Sequence, residues 1–114
     1  YDPSLLNMIR SNSSIYIHGH SAGGTNPSLL EAMHLGLNIF AYASGYNEIT
    51  TNYLACYFNN SDGLVEMIEK SNEFDSKEKT CSMQLFAKEH YTWAKVASAY
   101  SALVKKAYLE SNGK

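Results

Sequence analysis

The 114-residue sequence predicts an α/β fold: a small parallel sheet with helices on its faces. Three observations predict it. Short runs rich in β-branched and aromatic residues alternate with helix-periodic segments, and strands joined by helical crossovers pair in parallel. The run Leu37 to Ala43, "LNIFAYA", is apolar at nearly every position, as a strand covered on both faces should be. The run "IYIHG" stops abruptly at a loop with two adjacent glycines, which leads into a helix opened by proline.

The elements follow in order. Asp2 is an N-cap with Pro3 at the first helical position. Leu5, Leu6 and Ile9 line one face of a short helix to about Arg10, and "SNSS" turns the chain. Ile15 to Gly19 is the first strand. Asn26 caps and Pro27 starts a second helix, in which Leu29, Leu30 and Met33 share a face and which Gly36 ends as a left-handed cap. Leu37 to Ala43 is the second strand; "SGYN" turns, and "EITTNY" suits one helical turn. Ala55 to Asn59 is the third strand. Ser61 or Asp62 caps a helix through about Lys70, with Leu64, Val65 and Ile68 inward. Two C-terminal helices occupy about residues 76–110. The first places Cys81, Leu85 and Phe86 on its apolar side. In the second, Trp93, Val96, Tyr100, Leu103, Val104 and Ala107 recur at helical spacing, a stripe that suits core or a domain contact.

Composition bounds the function. Apolar content of 45% and aromatic content of 12% predict one globular domain, residues 1–114. Net charge of −2 and a pI near 6.1 give no electrostatic case for nucleic acid. Cys56 and Cys81 have no metal spacing and read as reduced thiols. No run is long and apolar enough for a membrane span. The opening "YDPSLLNMIR" reads as the continuation of a preceding unit. Three strands are also fewer than a complete doubly wound domain usually has, so the chain is expected to be an excised piece of something larger.

In such a sheet, ligands sit beyond the carboxyl ends of the strands. The loop His18 to Asn26 lies at such an end and feeds a helix N-terminus, where N–H groups and the helix dipole favour an anion. Gly23 and Gly24 let backbone approach a ligand without an intervening Cβ, and Thr25 and Ser28 add hydroxyl donors. A phosphate or diphosphate fits; so does a plain tight turn with no ligand. The loop matches neither the dinucleotide fingerprint nor the P-loop. Glu31, about one turn into the helix, is placed to accept from a vicinal diol such as a ribose, or to stand in solvent against the helix dipole. His18 and His20, two apart on an extended segment, point to one side. With no acid or cysteine near in sequence a metal site is the lesser reading; a hydrogen bond from one of the two to a phosphate or sugar hydroxyl suits them better, and His18, in the strand, suits a structural role best.

The stretch "GHSAGGTNPSLLEAMHLGLNIFAY", followed by "GYNEI", "ACYFNNSDGLVEMIE" and "YTWAKVASAY", resembles the C-terminal donor-binding segment of GT-B glycosyltransferases. The likeness is to the family-4-like retaining group and its rhamnosyltransferase-type branch. It covers about Ser13 to Tyr100, and its specific core is Gly-Gly-Thr-Asn-Pro-Ser-Leu-Leu-Glu. The resemblance implies a Rossmann-like domain forming part of the C-terminal half of a two-domain enzyme. That enzyme transfers a hexosyl or deoxyhexosyl group from a nucleotide-diphosphate sugar to a growing polysaccharide, with retention and without a protein-bound metal or other cofactor. It implies a donor site of Gly23, Gly24, Thr25, Asn26, Ser28 and Glu31, with Glu31 on the ribose. Ser21 and Glu48 are further candidates.

In many members a second glutamate precedes the first at a spacing that falls on Gly23 here, so His20 or Ser21 is the candidate for the donor sugar and His20 the weak candidate for catalysis. Glu48, in "GYNEI", holds either the donor or the following turn. The implied partners are the sugar-nucleotide donor, a saccharide or lipid-linked saccharide acceptor, and an N-terminal domain of the same protein. The implied location is the cytoplasm, including the inner face of the membrane. The 114-residue piece alone is expected to be inactive. The alternatives are a non-catalytic sugar-nucleotide-binding module and a structural α/β unit that pairs with another subunit.

Overall fold

The computed structural model describes residues 2–22 and 26–113, apart from the Asn7 side chain. The order is α1 (Pro3–Ser11), β1 (Tyr16–His18), α2 (Pro27–His34), β2 (Ile39–Tyr42), α3 (Tyr46–Thr50), β3 (Cys56–Phe58), α4 (Ser61–Glu69), a 3-10 turn (Ser71–Glu73), α5 (Lys77–His90) and α6 (Trp93–Asn112). The three strands form one parallel sheet in the order β1-β2-β3. Tyr16 pairs with Ile39 on one side of β2, and Phe40 pairs with Cys56 on the other.

The central strand sets the layers. Successive side chains of a strand point to opposite faces, and Ile39, Phe40 and Ala41 are all fully buried. Ile39 and Ala41 join Leu29, Ala32 and Met33 of α2 and Met83 and Ala87 of α5 in the larger core. Phe40 joins Phe58 and Met67 in a smaller core on the opposite face, closed by Leu64 of α4 and by Phe74. Each large apolar side chain fully buried there contributes roughly 1.5–3 kcal/mol against exposure. The near-continuous apolar run of β2 is therefore the imprint of two helix layers.

Helix ends follow the sequence chemistry. The Asp2 carboxylate accepts from the Ser4 and Leu5 amides at 2.9 and 3.3 Å. Gly36 stands at φ +69°, in the left-handed region, and the Leu37 amide reaches back to the Ala32 carbonyl at 3.2 Å, closing α2 as expected. The carbonyl of His34, in the last turn of α2, accepts from the Gln84 amide at 2.7 Å, so α5 also satisfies the end of α2.

Three expectations are corrected. The cap of α4 is Asn60, whose Oδ1 accepts from the Gly63 amide at 2.7 Å, and not Ser61 or Asp62. The buried residue of α4 is Met67, with Leu64 beside it, while Val65 and Ile68 face out. Leu64, Val65, Met67 and Ile68 form one broad apolar arc, and the position of Phe40 and Phe58 selects the part of it that is buried. On α5, Met83 and Ala87 face in, and Cys81 and Leu85 are exposed. Ala87 suits the close approach of α5 to α2. Both cysteines are free thiols.

Helix α6 begins where Thr92 caps it, through an Oγ1 that accepts from the Lys95 amide at 3.3 Å. It buries no residue, and Trp93 is 88% exposed. The molecule measures 61 × 31 × 30 Å, in keeping with a helix roughly 30 Å long standing off the body. Its apolar stripe, read from the sequence as core or a domain contact, is not core: it is open to solvent here. Among the described residues, no helix is long and apolar enough to cross a membrane.

These layers make a testable contrast. Leu29→Ala opens a cavity in the larger core and should cost about 2–5 kcal/mol in urea unfolding. Leu103→Ala on α6 should change stability by no more than about 0.5 kcal/mol. Comparable losses in the two variants would show that α6 is packed in solution.

Candidate functional site

Because the three strands run in parallel, their carboxyl ends share one edge of the sheet, the edge where α/β proteins place their ligands. The loop after β1 and the turn after β2 both leave from it. Asn47, at the start of α3, ties them. Its side-chain amide donates to the carbonyl of His20 at 3.0 Å and to that of Tyr42 at 2.9 Å, while its backbone amide donates to Ser44 Oγ at 3.1 Å. Asn47 is buried, so both donors are used where water cannot replace them. Beside it, the Glu48 carboxylate accepts from the Gly45 amide at 2.6 Å, and Gly45 stands at φ +86°, which favours glycine. That bond closes the turn that opens α3.

His18 and His20 share one side of the chain, as their spacing predicts. Their rings stack with centroids 5.1 Å apart and planes inclined 20°, and Tyr16 continues the stack at 6.1 Å from His18. His18 is buried, and its Nε2 has no hydrogen-bond partner among the described residues; His20 is exposed. Burial lowers the His18 pKa from its ordinary value, and the neighbouring His20 lowers it further. Among the described residues, no group of three or more His, Cys, Asp or Glu is placed to hold a metal.

At the α2 tip, Gly23, Gly24 and Thr25 lie outside the described residues. Asn26 is the N-cap: its Oδ1 accepts from the Ser28 amide at 2.9 Å, and its carbonyl accepts from Leu29 and Leu30 at 3.1 and 3.2 Å. Pro27 has no N–H. The first amides of the helix are therefore already used, and an anion at this tip must be met by the loop ahead of Asn26 and by hydroxyls such as that of Ser28. Ser21 is exposed in that loop.

Glu31 sits one turn further on. Its carboxylate meets the Arg10 guanidinium from α1, with side-chain exposures of 52% for Glu31 and 14% for Arg10. It also lines a groove of about 850 Å³ between α2 and the start of α6, with Pro27, Leu30, His34, Tyr91 and Trp93 among its walls. His34 Nε2 lies 3.0 Å from the Tyr91 carbonyl, and the Tyr91 hydroxyl donates to the Thr50 carbonyl at 3.0 Å, which fixes the floor of that groove. A hollow of about 520 Å³ on the flank of α6 is walled by Val104, Lys105, Tyr108 and Leu109, all from that helix.

Arg10 and Asn47 are the residues that sequence reading missed. An arginine ending a short helix and an asparagine inside "GYNEI" carry no spacing signal; only the tertiary fold gives each its partner. No family model, curated protein or solved structure matches the chain.

The His18 burial fixes a pH dependence. A folded-state pKa below the ordinary 6.5 means that the unfolded chain takes up the proton first. The stability tied to the neutral ring is fully present above that pH and is lost as pH falls from it through the lowered folded-state value. Urea midpoints measured between about pH 5 and about pH 8 should fall with acid more steeply for the unaltered chain than for His18→Gln. Parallel curves would contradict the burial-linked titration.

Proposed function

We propose that this chain is the donor-binding part of a retaining glycosyltransferase of the GT-B type. The carboxyl edge of the sheet, the loop 20–26 and the start of α2 hold a nucleoside-diphosphate sugar. The observation that carries this reading is Glu31: a carboxylate half open on an accessible groove, one turn from the end of a loop whose residues resemble a diphosphate-binding segment. An exposed carboxylate beside a groove is able to accept from both hydroxyls of a ribose, as acids do in other nucleotide sites.

In this reading the loop amides of Gly23, Gly24 and Thr25, with the Ser28 hydroxyl, take the diphosphate. As the sugar–phosphate bond breaks, negative charge grows on the departing nucleotide, and donors already oriented toward it lower the barrier without reorganising. His20 or Ser21 addresses the donor sugar. A second domain supplies the acceptor side, so the isolated chain binds donor and transfers nothing. Asn47 serves by holding the His20 loop against the end of β2.

Calorimetric titration with UDP-, GDP- and dTDP-sugars tests this. One of them should bind saturably, and Glu31→Ala and Glu31→Gln should each weaken it about tenfold or more, the scale of a lost hydrogen bond to a charged group. Transfer to an acceptor by the full-length protein, lost in the same variants, would separate the enzyme from a binding module. Absence of binding by both the chain and the full-length protein would leave the structural α/β unit as the answer.

A further inference from the structure

We propose that Arg10 is a positioning residue for Glu31: it fixes one side of the carboxylate and leaves the remaining acceptor capacity for the hydroxyls of a bound pentose. The proposal rests on the nucleotide-binding reading above and extends it to a residue on a different helix.

Two observations carry it. The first is the burial pattern of α1. Leu5, Met8 and Ile9 are 48, 57 and 57% exposed, while the Arg10 side chain is only 14% exposed and its Nη1 is buried. A helix that leaves Leu5, Met8 and Ile9 in water, with Leu6 only half-buried, and turns an arginine inward is not docked mainly by hydrophobic burial at that point. The second is the asymmetry of the pair. Arg10 Nη1 meets Glu31 Oε2, yet the Glu31 side chain remains 52% exposed and lines the groove. An ion pair that served stability alone has no need of an open carboxylate.

The physics follows from desolvation. A guanidinium withdrawn from water is costly unless a carboxylate faces it, so the docking of α1 selects the Glu31 rotamer that reaches Arg10. A glutamate at an exposed helix position otherwise samples several rotamers and loses that freedom on binding. Here the selection is made before the ligand arrives, which is preorganisation. Arg10 need not touch the ligand for this.

The test separates positioning from bracing. Kd is measured for whichever of UDP, GDP and dTDP binds the unaltered chain, dTDP offering its 3′-hydroxyl alone, and for the 2′,3′-dideoxy counterpart, which offers neither hydroxyl. The unaltered chain should prefer the hydroxyl-bearing ligand about tenfold or more, the scale of one charge-assisted hydrogen bond. Arg10→Met should bring that ratio close to one while leaving the Kd of the dideoxy ligand nearly unchanged, and Arg10→Lys should retain part of the ratio. Circular dichroism checks that each variant is folded; if Arg10→Met is not, Arg10→Lys decides, by a ratio that is reduced or intact. A ratio that survives in the folded variants, or equal weakening of both ligands, overturns the proposal and leaves Arg10 as a brace. Binding without discrimination by the unaltered chain also overturns it while sparing the anion site. No binding of any of the three removes the nucleotide reading, and this proposal with it.

Discussion

The structure depends on the complete burial of β2. A strand whose Ile39, Phe40 and Ala41 are closed on both faces has no room for polar side chains along its length, and its neighbours must pair with it in parallel through crossovers that cover those faces. Polar chemistry is thereby pushed to the ends of the strands. At the carboxyl edge it gathers: the His18–His20 stack, the Asn47 tie, the Gly45–Glu48 turn and the Asn26 cap of α2. The same constraint that makes the core makes the candidate site.

That edge is held together by few but well-placed polar contacts. Asn47 joins two loops that no backbone ladder connects, and it does so from a buried position where an unmet donor or acceptor would be expensive. Arg10 in turn joins α1 to Glu31. The site is thus bounded by one neutral and one charged cross-link, each between segments distant in sequence. Helix α6 contributes a wall to the groove through Trp93 and Val96 and otherwise stands clear of the body.

Much of this was legible in the sequence because local signals agreed. Asp2 with Pro3, Asn26 with Pro27, and Gly36 each announced a helix end, and each is seen there. The apolar run of β2 announced a doubly covered strand. What the sequence could not decide was orientation. On α4, residues 64, 65, 67 and 68 are all apolar, and only the place of Phe40 and Phe58 turns Met67 inward. On α5, Cys81 and Leu85 formed as good a stripe as Met83 and Ala87 until α2 supplied the surface to pack on. In the candidate site, Glu31 was singled out from its place after the loop, whereas Arg10 was not, because only the tertiary fold brings it to Glu31. Gly23, Gly24 and Thr25, read from the sequence as the heart of the loop, fall outside the described residues.

The central claim is that the carboxyl edge of the sheet, through the loop before α2, receives a nucleoside diphosphate. Amide chemical shifts of the isotopically labelled chain, followed as a nucleoside diphosphate is added, test it most directly. The account predicts saturating shifts concentrated from Ser21 to Glu31 and near Asn47, with β3 and α4 unmoved. Shifts confined to α6, or none in the loop at ligand concentrations that saturate binding, would contradict it.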